Sequence, residues 1–582
     1  MMMARCHAFL MGGVAFFAVS GMAFAAPLPL GLPAGPGTSQ NQFQRFQEHQ
    51  RQLDSLPVPV SPETGSGPAE KASSSPSNCV IVHEIQVEGS RHIGKETIDH
   101  MTRDYKGHCL SIDDINALVN AINAEYVARG YITSRGYIPE QKLSSGILKI
   151  VIIEGKLSAI KLQGRPPRAD LAMAFPGLEG KILNLRDLEQ GIEQMNRLPH
   201  WGAQMRVVPG KEAGFSEVVV DAPGNGILHG QAWADNNGQS ITGQEVGHSM
   251  LTAENLLGLL DMWSVEYDHA LRGPDHGPRG TELFSFNGSI PFGYWTVFAS
   301  ASRSQDNYYL QTGTELYHLG GSQTNWRVGL SRVLLRNRIG VTTFQASFAQ
   351  KGFSSEIEHT VIDAQSGHQS YVNVSLSESL KGLGGLWYIT AGADIAVDAA
   401  GTDNMFPHPI RSEPHSSYVK PSLDIDGFVP ITDDLSWHTS LHGEISTHDQ
   451  FSTNQLQVGG PYSVRGFLNQ SLIGNNGGFM RNDLSWSLPT TGLDCGPYTG
   501  FCKALFDGVQ LYGIFDFGIV RAGFPPTNLP QALKGGEVVG VGGGLRKTAG
   551  PLFWNVSVTH AVHKGPLPSE GVVALFNVGV KL

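Results

Sequence analysis

Residues 464–467 read Val-Arg-Gly-Phe at the centre of a glycine-rich segment. Val458-Gly459-Gly460-Pro461-Tyr462-Ser463 precedes it and Gly474-Asn475-Asn476-Gly477-Gly478 follows. Further along, Phe515-Asp516-Phe517-Gly518 reads as part of a strand. In a strand Phe515 and Phe517 share one face, and Asp516 takes the other with Gly518. An Arg on a loop and an Asp on a strand can make a bidentate, charge-assisted pair, which fixes a loop in place. Such a pair breaks no bonds. No nucleophile elbow and no zinc signature occurs, so no catalytic residue and no enzyme activity is expected. The pair suits a gated pore.

Other chemistry-bearing residues are weaker. Gly89 to Lys95 spells G-x-x-x-x-G-K between a strand and a helix, like a phosphate loop, but position 96 is Glu where a Ser or Thr would hold Mg²⁺. No cofactor is expected. His438 and His442 share a strand face, yet no Cys or carboxylate set completes a metal site around them, and no metal is expected. Of five cysteines, Cys6 falls in a leader. Cys79 with Cys109, and Cys495 with Cys502, form two local pairs, which in an exported protein implies two disulfides.

The elements that must position these residues begin with an export signal. In residues 1–25, Arg5 supplies a positive start, Phe9 to Val19 an apolar core and Ala23-Phe24-Ala25 a small-residue cleavage site. No later run is long and apolar enough for a membrane-spanning helix. Residues 26–78 are a Pro/Ser-rich linker, interrupted by a stretch without Pro or Gly at about 41–56. That stretch places Phe43, Phe46, Leu53 and Leu56 roughly along one helical face, with Gln, Arg, Glu and His elsewhere; such a helix suits a wet lumen. The net charge of −11 excludes an ordinary nucleic-acid binder.

Residues 79–155 read as strand, helix, helix, strand, strand. Val80 to Val87 is the first strand, Lys95 to Tyr105 a short helix, and Ser111-Ile112-Asp113-Asp114 a capping box opening a helix to Arg129. Tyr131 to Ile138 and Ile147 to Ile153 complete the unit. Residues 156–223 repeat the order, with a longer helix over Leu185 to Leu198. From 224 to 582 alternation takes over. Trp554, Val556 and Val558 alternate with Asn555, Ser557 and Thr559; Phe576, Val578 and Val580 alternate with Asn577, Gly579 and Lys581. One face suits lipid and the other a polar lumen, and the length allows about 16 strands of about 10 residues. Tyr294-Trp295 fits an aromatic girdle at the lipid interface. Counting back from Leu582 gives strands 571–582, 551–562, 537–547, 507–520 and 478–488. The segment 459–477 then opens at the outer end, and Cys495–Cys502 lies in a turn at the inner end.

These features together resemble the two-partner secretion transporters, the TpsB class of haemolysin secretion and activation proteins. The resemblance rests on Cys79, Cys109, Gly130 to Arg135 and Glu154-Gly155 in the first unit. In the second it rests on Leu183 to Gln190, Asn196-Arg197-Leu198 and Pro209-Gly210. At the barrel entry it is Asp235-Asn236-Asn237-Gly238, and inside it is Val464-Arg465-Gly466-Phe467 and Phe515-Asp516-Phe517-Gly518. It implies a transmembrane β-barrel of 16 strands preceded by two periplasmic POTRA domains, 79–155 and 156–223. It implies a plug helix, matching 41–56, and a lumen loop, 459–477, whose Arg465 pairs with Asp516. It further implies a Gram-negative outer membrane, type Vb export and a large exoprotein recognised by the POTRA domains through its N-terminal secretion domain. Outer-membrane lipid would be the only other partner, nucleic acid none, and the transporter a monomer. A barrel-assembly insertase shares the Arg loop and the POTRA units, but usually has more units and no plug. Two departures stand out: the last residue is Leu582 where an aromatic is usual, and Cys495–Cys502 lies outside the family pattern.

Overall fold

The computed structural model describes residues 38–56, 79–164, 169–223, 227–271, 280–312, 314–403, 415–489, 499–521 and 535–582. The leader, the linker after residue 56 and Cys495 lie outside the described residues, as does the side chain of Cys502.

A helix, α1 (Thr38–Ser55), comes first. The first module then carries α2 (Lys95–Thr102) and α3 (Ile112–Ala128) on a three-stranded sheet. In that sheet Ile147–Ile153 lies between a parallel Glu84–Glu88 and an antiparallel Arg135–Tyr137. Ser111 starts α3 as a full capping box with Asp114. Ile85, Ile98, Ile115, Leu118, Ile122, Tyr126, Leu148 and Ile150 fill the space between helices and sheet. Two expected strands come out differently. Val80–Val82 pairs with His108–Leu110, and the chain crosses to the main sheet at His83. The expected strand from Tyr131 begins only at Arg135, because Ser134 N–H turns back to the Tyr131 carbonyl at 3.1 Å. Cys79 and Cys109 are disulfide-bonded, tying the module's first residue to the small ribbon.

The phosphate-loop look-alike is filled by the protein itself. Arg91 and His92 N–H groups donate to the Glu154 carboxylate at 2.8 and 2.9 Å, and the Tyr126 hydroxyl reaches it at 3.0 Å. A carboxylate thus occupies the place an anion would take.

The second module repeats the plan with α4 (Ala169–Ala174) and α5 (Leu185–Asn196). Phe215–Asp221 is central, parallel to Lys156–Leu162 and antiparallel to Gln204–Pro209. Its core of Leu157, Phe175, Leu188, Met195, Leu198, Trp201 and Val218 takes one fully buried residue from outside the module, Leu260, and Ile132 of the first module and Met262 of the barrel pack against it. Leu260 sits in a barrel turn in the left-handed region (φ 56). The turn is held there because Asp261 accepts N–H bonds from Leu257 and Leu259. A branched residue in that conformation is uncommon and needs such support.

Sixteen antiparallel strands, from Leu228–Asp235 to Val572–Lys581, close into a barrel. A two-residue bridge, Thr360–Val361, pairs only with the strand before it. The seam joins last strand to first from Asn577↔Asp235 to Lys581↔Gln231, and Leu582 exchanges backbone hydrogen bonds with Gly230. The C-terminus therefore lies at the same end as the two modules. Strand lengths depart from expectation: Glu315–Arg336 has 22 residues, about 70 Å at ~3.3 Å per residue, far more than a bilayer needs. Outward positions such as Phe284, Val297, Val328, Phe515, Val556, Val558, Phe576 and Val578 are exposed and apolar, as a lipid-facing band requires. Tyr294 corrects the aromatic-girdle expectation. It sits in a turn at the module end, and its hydroxyl donates to Asp187 of α5 at 2.6 Å, facing protein instead of lipid.

The Glu154 cradle gives a pH test. Burial raises its pKa, but the Arg91 and His92 amides outweigh burial and hold the carboxyl below its ordinary range. Its contribution is therefore present above the unfolded value, about 4.3, and fades as pH falls through the lower folded value. Glu154→Gln is expected to destabilise the first module by about 1–3 kcal/mol at pH 7. The difference from wild type should shrink in denaturant titrations below pH 4.

Candidate functional site: the barrel lumen

The segment between strands Leu435–Glu444 and Asn476–Ser487 folds inward from the end opposite the modules. Within it Leu456–Val458 pairs with Leu472–Gly474 as a short ribbon. Val464 and Phe467 are fully buried. They pack with Leu456, Val458 and Leu472 against Val520 and Val538 of the wall and Leu567 of a neighbouring loop. This small apolar core excludes water from the charges beneath it.

Arg465 is the tip. Its Nε donates to Asp516 Oδ2 and its Nη2 to Oδ1, both at 2.7 Å, and its backbone N–H donates to Oδ2 at 3.0 Å. Asn482 N–H adds a fourth bond to Oδ1 at 3.2 Å. Asp516 is wholly inaccessible. Nη2 also lies 2.7 Å from Asp483 Oδ1, and Asp483 in turn accepts from Arg546 Nη1 at 2.9 Å. Arg546 stacks over Tyr512 and bonds Gln510 and Ser485. The result is a chain of alternating charge along the wall, which stays favourable in low dielectric because every member is paired.

Glycines clear the way. A Cβ on Gly540 would collide with the Arg465 carbonyl, and one on Gly518 with Val458 and Val464. Gly466 has φ +109 and lies against the His560–Ala561 backbone, so it needs glycine twice over. The structure therefore gathers Val464, Arg465, Gly466, Phe467, Asp516 and Gly518 at one place. Phe515 faces outward. Asp483, Asn482, Arg546 and Gly540 are new members.

The helix α1 lies inside the barrel, since its side chains reach walls on all sides. Gln47 donates to Glu266 at 2.6 Å, and Gln44 accepts from Asn325 at 3.1 Å. Arg51 bonds Asn287. Glu48 pairs with Arg327, Arg45 with Glu444, and His49 with Asp426 at 2.9 Å. It also locks to the loop. Gln42 donates to the Gly459 carbonyl at 2.9 Å, and Tyr462 sits 5.2 and 5.4 Å from the Phe43 and Phe46 rings. Nearby, His248 lies between Asp235 and Asp268 and stacks on Trp233. Asp235 opens the Asp-Asn-Asn-Gly segment. His442 faces Asp424 and Glu444, whereas His438 stacks on Phe428.

At the module end, α5 docks on barrel turns. Gln190 and Gln194 donate to the Gly293 carbonyl, Glu193 pairs with Arg336, and Arg197 donates to the Leu260 carbonyl and Ser289. Sequence periodicity cannot show these contacts, because they join segments with no shared pattern.

A lipid-banded barrel with two α+β modules at one end and a helix and loop in its lumen defines an outer-membrane transporter of two-partner secretion. The family model described as "Haemolysin secretion/activation protein ShlB/FhaC/HecB" matches residues 214–541. POTRA models, one of them ShlB-type, match 80–155 and 156–209. The chain belongs to this family. Its modules are POTRA domains in the periplasm, below a barrel in the outer membrane. The outer membrane transporter CdiB of Escherichia coli is 33% identical over 511 residues, covering 85% of this chain and 83% of that protein. The hemolysin transporter protein ShlB of Serratia marcescens is 24% identical, covering 72% and 74%. The solved structure of CdiB from Escherichia coli has a TM-score of 0.82 at 29% identity, covering 95% of this chain and 100% of that one. CdiB from Acinetobacter baumannii, at 19% identity and TM-score 0.76, covers 94% and 99% and shows the same fold.

Because Asp516 accepts three bonds from Arg465 of the loop, whereas Asp483 divides its charge between Arg465 and Arg546, the two carboxylates should differ in weight. Asp516→Asn is expected to speed amide exchange at residues 464–467 about 10²–10³-fold, the measure of a broken buried pair. Asp483→Asn, which leaves the Asp516 fork in place, should change it by about tenfold. Equal effects in hydrogen-exchange mass spectrometry would contradict the assignment of Asp516 as the anchor.

Proposed function

We propose that the chain carries an unfolded partner exoprotein outward through its own barrel, with the POTRA pair as receptor and α1 as a removable stopper. The observation that carries this reading is the chemistry of the α1–wall contacts. They are hydrogen bonds and ion pairs from Gln44, Arg45, Gln47, Glu48 and His49, and the rings of Phe43 and Phe46 meet Tyr462, His248 and Arg481. Polar contacts of this kind exchange for water at small net cost, about 1 kcal/mol each, so a helix held by them can leave. A helix held by a packed core could not.

The exoprotein would meet POTRA domains whose sheets have edge strands with a single partner, Glu84–Glu88 and Gln204–Pro209. An extended segment can add to such an edge through its backbone, with side-chain pockets setting selectivity. The Arg465 loop keeps the wall of the opened lumen in one shape while the chain passes. A barrel that encloses its own pore supports action as a monomer. The periplasm offers no nucleotide, so folding of the cargo outside supplies direction. The reading assigns no catalytic step to the chain. The relatives named as transporters of hemolysin support a secreted protein as cargo.

Deleting residues 41–56 is expected to raise single-channel conductance in planar bilayers, because a helix about 10 Å across fills much of such a lumen. Unchanged conductance would mean that α1 is no stopper. Removing residues 79–222 should abolish release of the partner exoprotein while the barrel still inserts. Continued release would place recognition outside the POTRA pair.

A further inference from the structure

We propose that His200, His229 and Glu254 form a zinc site that joins the second POTRA domain to the barrel. The three come from three segments. His200 follows α5 in the turn that buries Leu198 and Trp201. His229 is near the start of the first barrel strand, and Glu254 ends the second. In the ladder His229 pairs with Thr252, so Glu254 is its diagonal neighbour on the same face. Their ligand atoms all lie within 4.8 Å of one another.

The two imidazoles are stacked, centroids 3.5 Å apart and nearly parallel at 12°, so one ring must turn before both nitrogens can face a single ion. Two observations favour an ion over a plain histidine–carboxylate pair. His200 Nδ1 lies 2.7 Å from Glu254 Oε1, but His229 Nε2 is 3.9 Å from that same oxygen, too far for a hydrogen bond. His229 Nε2 is also buried with no hydrogen-bond partner, so a donor atom aimed at the carboxylate goes unused. A divalent cation at the focus would use all three groups.

The donor set selects the metal. Two imidazole nitrogens and one carboxylate oxygen suit zinc, which takes three protein ligands and leaves a fourth position to water. Bond lengths of about 2.0–2.1 Å require donors about 3.3 Å apart, so on binding the 2.7 Å His200–Glu254 contact must open and the 3.9 Å His229–Glu254 distance must close. His200, 46% exposed in a turn, can supply the first movement; Glu254 is 1% exposed and fixed, so the second falls to the His229 side chain. The exposed side also gives an entry path. The ion would sit beside the Leu260 knob and add a second tie between the POTRA core and the first two barrel strands, fixing the angle at which cargo enters.

The test is zinc titration of the full chain, purified in detergent and stripped with EDTA, by isothermal calorimetry. Cobalt is the spectroscopic probe, since four-coordinate Co²⁺ gives an intense visible band. Wild type is expected to bind one ion that His200→Ala, His229→Gln and Glu254→Gln each lose, or bind at least tenfold more weakly. Heat-modifiability on gels confirms that each barrel is folded, and His200→Ala, in an exposed turn, is the variant least able to disturb it. Identical stoichiometry and affinity in wild type and all three variants would overturn the site. Loss in His229→Gln and Glu254→Gln but not in His200→Ala would show an ion that does not reach the POTRA domain, and would overturn the bridge.

Discussion

The lumen depends on one buried ion pair. Arg465 and Asp516 meet in a place closed to water by Val464 and Phe467, where Asp516 takes both arms of the guanidinium fork and Asp483 adds one contact to Nη2. A buried charge pair adds little net stability over an apolar substitute, but it penalises every arrangement in which one partner is left alone. That asymmetry holds the loop to one place on the lumen wall. The glycines follow from the same demand: Gly518 and Gly540 exist as gaps into which the loop backbone fits.

The helix α1 is built on the opposite principle. It touches the wall through long polar side chains, and it touches the loop through Gln42 and the Phe43–Tyr462–Phe46 cluster. The lumen thus contains one element held by a desolvated pair and one held by replaceable contacts. At the periplasmic end Leu260 enters the second POTRA core, and Gln190, Glu193 and Arg197 of that domain grip the barrel at three places, Gly293, Arg336 and Leu260. The second POTRA domain and the barrel are one packed body there.

Much of this was legible in the sequence where periodicity is local. The alternation around Asp516 placed it in the lumen, Ser111 and Asp114 marked the start of α3, and the last five barrel strands lie within a few residues of their expected bounds. What was not legible is long-range. Asp483 and Arg546 look like any polar lumen residues until the wall strands are aligned. Gly540 is informative only once the Arg465 carbonyl is known to press on it. Tyr294 reads as an interfacial aromatic because its partner, Asp187, lies in another domain. The 22-residue strand exceeds what a bilayer demands, so membrane thickness could not foretell it. His200, His229 and Glu254 carry no spacing motif, since three segments must fold before they meet.

A double-mutant cycle on Arg465 and Asp516, read as exoprotein released per inserted barrel, tests the central claim most directly. If the pair acts as one unit, Arg465→Ala, Asp516→Ala and the double variant should lose release to nearly the same extent, because removing the second partner costs nothing once the first is gone. Losses that add in the double variant would contradict the account, and would mean that the two residues act on transport separately.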